Sequence, residues 1–320
     1  MNRRELLKLG TATALSGVTL SLLRPVAFAQ NAQGTAQVAA AQRFKVGDMI
    51  VTALSDGYLE IGASVLVGVS EEDFQAALNT AFLKPGAYIA SVNAFVVESG
   101  SNTYMIDAGT GSALGPTVGR LADNLSKSGY QPSSISALFT THLHPDHVGG
   151  CVKDGKAVFD NAEFIVTKDD RAFWTDAGKR SEAPEQMQPF FDLATSALKA
   201  YGNRLREISG ETEVAPGITS VPLPGHTPGH TGYRLTSDNE TMLVWADIVH
   251  VAPAQLPNPD VTIGFDIDPT QAAKTRKTLL EQVVADRILI AGAHLPFPGI
   301  GHIEKAGEGY RFVPADWQYL

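Results

Sequence analysis

The sequence predicts an α/β protein, and three observations carry that reading. Short runs rich in Val, Ile and aromatic residues alternate with longer stretches of helical periodicity. Several apolar runs end in Asp or His, where a buried strand would meet a loop, and such loops usually carry function. A chain of 320 residues is also long enough to bury one large core or two halves of one. In chain order, strands are expected at residues 49–54, 91–97, 102–106, 137–140, 163–166, 218–221, 232–235, 242–245 and 287–291. Helices are expected at 71–83, 116–128, 168–175, 189–202 and 269–284.

The densest chemistry lies in His142-Leu143-His144-Pro145-Asp146-His147, which places three imidazoles and a carboxylate within six residues. These are zinc-binding side chains. His142 and His144 alternate along an extended segment, so both can face one way. Pro145 suits the first turn of a helix, which would bring Asp146 and His147 in from another direction, so one turn can serve two adjacent metal ions. Downstream, His226 sits in the turn Pro224-Gly-His-Thr-Pro-Gly-His230, Asp247 ends the apolar run from Thr241, and His294 ends the run from Arg287. Upstream, the strand Tyr104-Met-Ile ends on Asp107.

Together these residues resemble the metallo-β-lactamase superfamily, whose pattern is H-x-H-x-D-H, then a His, a bridging Asp and a last His. Within it the chain looks most similar to the methyl parathion hydrolase group, with its related lactonases and aryl esterases. The runs carrying that likeness are Leu54-Ser-Asp-Gly57, Leu114-Gly-Pro-Thr-Val-Gly-Arg-Leu121, Gly225-His-Thr-Pro-Gly-His-Thr231, His294-Leu-Pro-Phe-Pro-Gly-Ile-Gly-His302 and Gly309-Tyr-Arg-Phe-Val-Pro314. The likeness extends from about Phe44 to Trp317.

The resemblance implies a four-layer αββα sandwich with two divalent metals at one edge, zinc first, with manganese, cobalt or iron as alternatives. One metal would take His142, His144 and His226, and the other Asp146, His147 and His294. Asp247 would bridge them together with a water. Two cations lower the pKa of a shared water and polarise a substrate C=O or P=O. Asp146 could also orient the nucleophile or shuttle a proton, and Asp107 could hydrogen-bond a ligand His or the Thr140-Thr141 turn. His230 and His302 are expected to be structural, and Cys151 to pack the short helix.

By the same resemblance, Leu114, Trp174, Phe190 or Phe191, and Leu256 would form an apolar rim, with His250 touching substrate. The early loop Ile61-Gly-Ala-Ser-Val-Leu-Val67 lacks basic residues, and Leu114 stands where a dedicated methyl parathion hydrolase has an aromatic. Both features favour lactone or aryl-ester hydrolysis, with organophosphate triesters as a side activity. The alternatives are a dedicated organophosphate hydrolase, a glyoxalase-type thioesterase (no basic cluster for glutathione's carboxylates is present), a single-iron sulfur dioxygenase, or a periplasmic metal-binding protein without turnover. A homodimer is implied by the likeness alone.

Residues 1–29 read as a twin-arginine signal: Arg3-Arg4, a mildly apolar stretch, then Ala27-Phe28-Ala29 for cleavage. That address is periplasmic and leaves no stable membrane anchor. Residues 30–43 read as a flexible lead-in to a hydrolase domain at 44–320. Cleavage would remove four cationic side chains and one anionic one, taking the charge from −9 to −12. Nucleic-acid binding depends on neutralising phosphates and is excluded by such acidity. One cysteine excludes an intrachain disulfide.

Overall fold

The computed structural model describes residues 38–320; the signal-like segment and most of the lead-in lie outside the described residues. Two seven-stranded sheets form the frame. The first contains β1 (Ala41–Val46), β2 (Met49–Ile61), β3 (Tyr88–Ser99), β4 (Asn102–Ile106), β5 (Ala137–Phe139), β6 (Glu163–Thr167) and β7 (Leu205–Ile208). The second contains β8 (Glu213–Ala215), β9 (Ile218–Pro222), β10 (Thr231–Ser237), β11 (Glu240–Ala246), β12 (Leu289–Gly292), β13 (Ile300–Ala306) and β14 (Gly309–Pro314). In each sheet the spatial order follows the chain. β1 to β4 pair antiparallel and β4 to β7 parallel, while the second sheet has a single parallel pair, β11 with β12.

Strand alternation explains why both faces of each sheet are covered. In β3, Phe95 and Val97 enter the core between the sheets, whereas Ala94 and Val96 point to a helix-covered core. In β11, Met242 and Val244 face the first sheet, whereas Leu243 and Trp245 face the helix Pro269–Ala285 through Leu279, Leu280 and Val283. Helices, two sheets and helices again make the expected αββα sandwich. Among the described residues no helix is long and apolar enough to cross a membrane.

Several expectations need correcting. β1 begins at Ala41, inside the stretch read as a flexible lead-in, because it pairs along its whole length with residues 49–54 of β2. The helix expected at 116–128 starts only at Leu121. Gly119 has φ +84°, which no helix accommodates, and the buried Asp56 carboxylate accepts the N–H groups of Thr110, Gly119 and Leu121 at 2.9, 3.1 and 2.8 Å. The hairpin β13–β14 is not among the expected strands, since its glycines and charges hide the period of two.

Two local features hold the site. A two-strand ribbon joins Leu66–Val67 to Thr262–Ile263. The turn Gly149–Cys151, which follows the short helix Pro145–Val148, packs so closely on the loop after β4 that a Cβ at Gly150 would lie 2.0 Å from the Ala108 carbonyl oxygen. Gly150→Ala is therefore expected to destabilise the fold by about 1–3 kcal/mol through overpacking, read as a lower urea midpoint with an unchanged slope.

Candidate metal centre

Five strand ends or following loops converge at one edge of the sandwich. Asp107 follows β4, His142 to His147 follow β5, His226 lies between β9 and β10, Asp247 follows β11, and His294 follows β12. All of these except Asp146 are buried, and Asp146 is half-buried. His144 stands at the N-terminal boundary of the short helix with Pro145 in its first turn, so Asp146 and His147 approach from the helix while His142 and His144 approach from the loop.

The ring nitrogens form two groups. His142 Nε2 lies 2.9 Å from His144 Nδ1, which lies 3.0 Å from His226 Nε2. That spacing is near the roughly 3.3 Å edge of a tetrahedron with zinc–nitrogen bonds of about 2.0–2.1 Å. In the second group, Asp146 Oδ2 is 3.5 Å from both His147 Nε2 and His294 Nε2. Asp247 spans the two: Oδ1 is 3.3 Å from His147 Nε2, and Oδ2 is 3.3 Å from His226 Nε2 and 3.0 Å from His294 Nε2.

The outer nitrogens show that these imidazoles present lone pairs inward. His147 Nδ1 meets Asp107 Oδ2 at 2.7 Å, His226 Nδ1 meets Asp266 Oδ1 at 2.8 Å, and His294 Nδ1 meets the Ser91 carbonyl at 2.8 Å. An acceptor on Nδ1 places the proton there and leaves Nε2 free to bind a metal. His147 Nε2 and Asp247 Oδ1 have no hydrogen-bond partner although both are buried. The donor set thus fits two divalent cations.

Electrostatics point the same way. Burial alone would lower His147, but the carboxylates of Asp247, Asp146 and Asp107 hold it well above its usual value. Burial is likewise outweighed at His226, which hydrogen bonds to the Asp247 and Asp266 carboxylates raise to about 9, and at His294, which Asp247 raises. Asp247 and Asp146 stay well below the usual carboxylate range despite burial, chiefly because of His147. His142 and His144 are pushed down by burial and by neighbouring imidazoles. Ionised carboxylates buried among imidazoles call for positive charge, and a metal ion supplies it while displacing protons from the rings.

Beside the cluster lies a cavity of about 330 Å3. Leu114, Phe190 and His250 line it as expected, together with Leu59, Glu60, Ile61, Val65 and Phe265. Trp174 does not: it is fully buried behind His144, with ring centroids 5.2 Å apart. Phe191 is core, packed on Trp174 at 4.7 Å. Leu256 is also buried, in the cluster between the second sheet and its helix. These three are supports rather than rim: Trp174 and Phe191 lie on the inward faces of their helices, and Leu256 packs in the core just after the helix Ala252–Gln255. His250 stacks on His294 and its Nε2 lies 3.1 Å from Asp247 Oδ2.

Other polar residues are structural or were not foreseen. His230 binds the Leu223 carbonyl through Nδ1 and accepts the Asp247 N–H, and burial takes it down to about 3. His302 is exposed and bonds the Ile288 carbonyl rather than the His294 loop. Cys151 is buried in the helix-covered core, where burial pushes its thiol up. Asp266 and Asp170 escaped sequence reasoning. Asp170 accepts the N–H groups of Leu143 and Gly229 at 2.9 and 2.8 Å, tying the first His segment to the His226 loop, and burial raises it to about 6. Neither belongs to a local pattern; only the need of His226 for an outer acceptor would have called for Asp266.

Residues 88–294 match the family model described as the metallo-beta-lactamase superfamily, and the chain belongs to that superfamily. An N-acyl homoserine lactonase of a Bacillus sp is 25% identical over 175 residues, covering 55% of this chain and 62% of the lactonase. The lactonase of Bacillus cereus aligns to the same extent. The match therefore spans less than two thirds of these relatives' length. Among solved structures, hydrolase AbOPH in the beta lactamase superfamily superposes with a TM-score of 0.84 at 32% identity, covering 89% of this chain and 100% of that one. AidC, a dizinc quorum-quenching lactonase in complex with a product, N-hexnoyl-L-homoserine, gives 0.83 at 26% identity, covering 88% and 100%.

Two outcomes are expected. Chelation should lower the unfolding temperature and added zinc should restore it, since the metals bind the folded state preferentially. Asp266→Asn should weaken metal binding by about 10–100-fold, measured by competition with a chromophoric chelator; unchanged affinity would show that His226 does not depend on that contact.

Proposed function

We infer that the protein is a dinuclear zinc hydrolase of lactones or aryl esters, with organophosphate triesters as secondary substrates. The observation that carries this is Asp247, whose two oxygens reach both nitrogen groups at the floor of a largely apolar cavity. The lactonase relatives and the dizinc lactonase neighbour support the same reading. His142, His144 and His226 would hold one ion, Asp146, His147 and His294 the other, with Asp247 between them. The bound ions would supply a nucleophile from water near neutral pH and a Lewis acid for a C=O or P=O oxygen.

The chain's own groups do the rest. Asp146 lines the cavity and stays ionised beside His147, so the carboxylate oxygen not turned to the metal-facing imidazoles can take a proton from an attacking water. Burial lowers His250 to about 4, which keeps it neutral, with its Nε2 hydrogen directed to Asp247. Its Nδ1 is buried without a partner and is left as an acceptor, so the ring contributes to the site mainly by holding Asp247. Val65, Leu114, Phe190 and Phe265 give apolar substituents a wall and exclude water.

Among the described carboxyl groups that line the cavity, Asp146 is the one beside the cluster left to protonate a leaving group, and His147 holds it ionised. Phenyl and enol esters should therefore turn over at least tenfold faster than simple alkyl esters of the same acid, a gap set by leaving-group basicity; equal initial rates would contradict the assignment. The wider test compares dihydrocoumarin, phenyl acetate, an acyl-homoserine lactone and methyl parathion, each with and without chelator. Chelator-sensitive lactone or aryl-ester hydrolysis well above methyl parathion is the expected result. A dominant methyl parathion rate would instead make the enzyme a dedicated organophosphate hydrolase.

A further inference from the structure

The cavity carries one charged side chain that the metal cluster does not use. Glu60, near the end of β2, lines it between Leu59 and Ile61, is exposed to solvent, and has no ion-pair partner among the described residues. No Lys or Arg lines the cavity, and its apolar lining includes Val65, Leu114, Phe190 and Phe265. Low-dielectric walls focus the field of an unpaired charge into the space they enclose, in addition to the field of the metal cluster. A carboxylate there leaves an uncharged substrate unaffected, attracts a cationic substituent and repels an anionic one. An anionic substituent would also lack any basic side chain to hold it away from the metals, where it would compete with the reacting carbonyl.

We propose that Glu60 makes the site charge-selective, so that it accepts neutral and cationic esters or lactones and rejects anionic ones. This rests on the hydrolase reading above and deepens it by naming the charge class of the substrate. It also separates the protein from hydrolases of acidic substrates, which need a cation where this wall has an anion.

The test uses the metal-loaded protein and three aryl acetates of similar size: one uncharged, one with a trimethylammonium group on the ring, and one with a sulfonate. The readout is the ratio of kcat/KM for the cationic ester to that for the anionic one, so a general change in activity cancels. Each ester is first normalised to its rate with free hydroxide. Glu60→Gln should reduce the ratio about tenfold and Glu60→Lys should reduce it further, as expected for one charge several ångströms away in a partly solvated site. Raising salt from about 20 to about 500 mM should bring the wild-type ratio toward that of Glu60→Gln. A ratio that is the same in all three proteins, while the uncharged ester is still hydrolysed, overturns the role of Glu60 alone. Failure of the loaded wild-type protein to hydrolyse the uncharged ester or any lactone in a chelator-sensitive way overturns the hydrolase reading, and this inference with it.

Discussion

The buried carboxylate of Asp247 is the constraint from which the rest of the site follows. Its oxygens lie 3.0 to 3.7 Å from nitrogens of five imidazoles, those of His142, His147, His226, His250 and His294. A carboxylate withdrawn from water costs several kcal/mol unless positive charge and hydrogen bonds replace its hydration. The fold answers by ending five segments of two different sheets around that one side chain. The parallel pairing of β11 with β12 brings Asp247 and His294 to the same edge, and the stacking of the sheets brings the His142 segment opposite them.

The outer ring of acceptors gives the cluster its definition. Asp107 and Asp266 fix the orientation of His147 and His226, and the Ser91 carbonyl fixes His294. Asp107 also accepts the N–H and hydroxyl of Thr141 at 2.8 Å, so one residue at the end of β4 sets both a ring and the start of the loop that carries three others. A ring held from outside cannot rotate to satisfy itself. Its inner lone pair stays aimed at the cluster, and the arrangement is ready for a cation before one arrives.

The sequence revealed the parts that repeat a chemical or periodic pattern. His142 to His147 stands out by three imidazoles and a carboxylate within six residues, Asp247 and His294 because each ends an apolar run, and the strands as short apolar runs. What stayed hidden depends on tertiary partners. The helix Leu121–Lys127 starts later than its periodicity suggests because Asp56, far away in sequence, captures the backbone before it. Trp174, Phe191 and Leu256 were assigned to the rim by likeness, yet an aromatic or Leu on a helix carries no mark of whether its face looks into a cavity or a core. Asp266 and Asp170 sit in unremarkable loops, and their roles exist only once the His226 loop lies against them.

The ribbon between Leu66–Val67 and Thr262–Ile263 joins two otherwise separate concerns. It carries Val65 and Phe265 into the cavity wall, and the residue after Phe265 is the Asp266 that holds His226. Asp266 also accepts the Ile263 N–H at 3.1 Å, and Gly264 N–H reaches the Val65 carbonyl at 2.8 Å. The breadth of substrates admitted and the retention of the metal are therefore mechanically linked. Loosening this wall to admit bulkier molecules would slacken the grip on a metal-facing imidazole. A lineage diversifying its substrates is thus steered toward side-chain changes at Leu114 and Phe190, away from the ribbon, where the tether is absent.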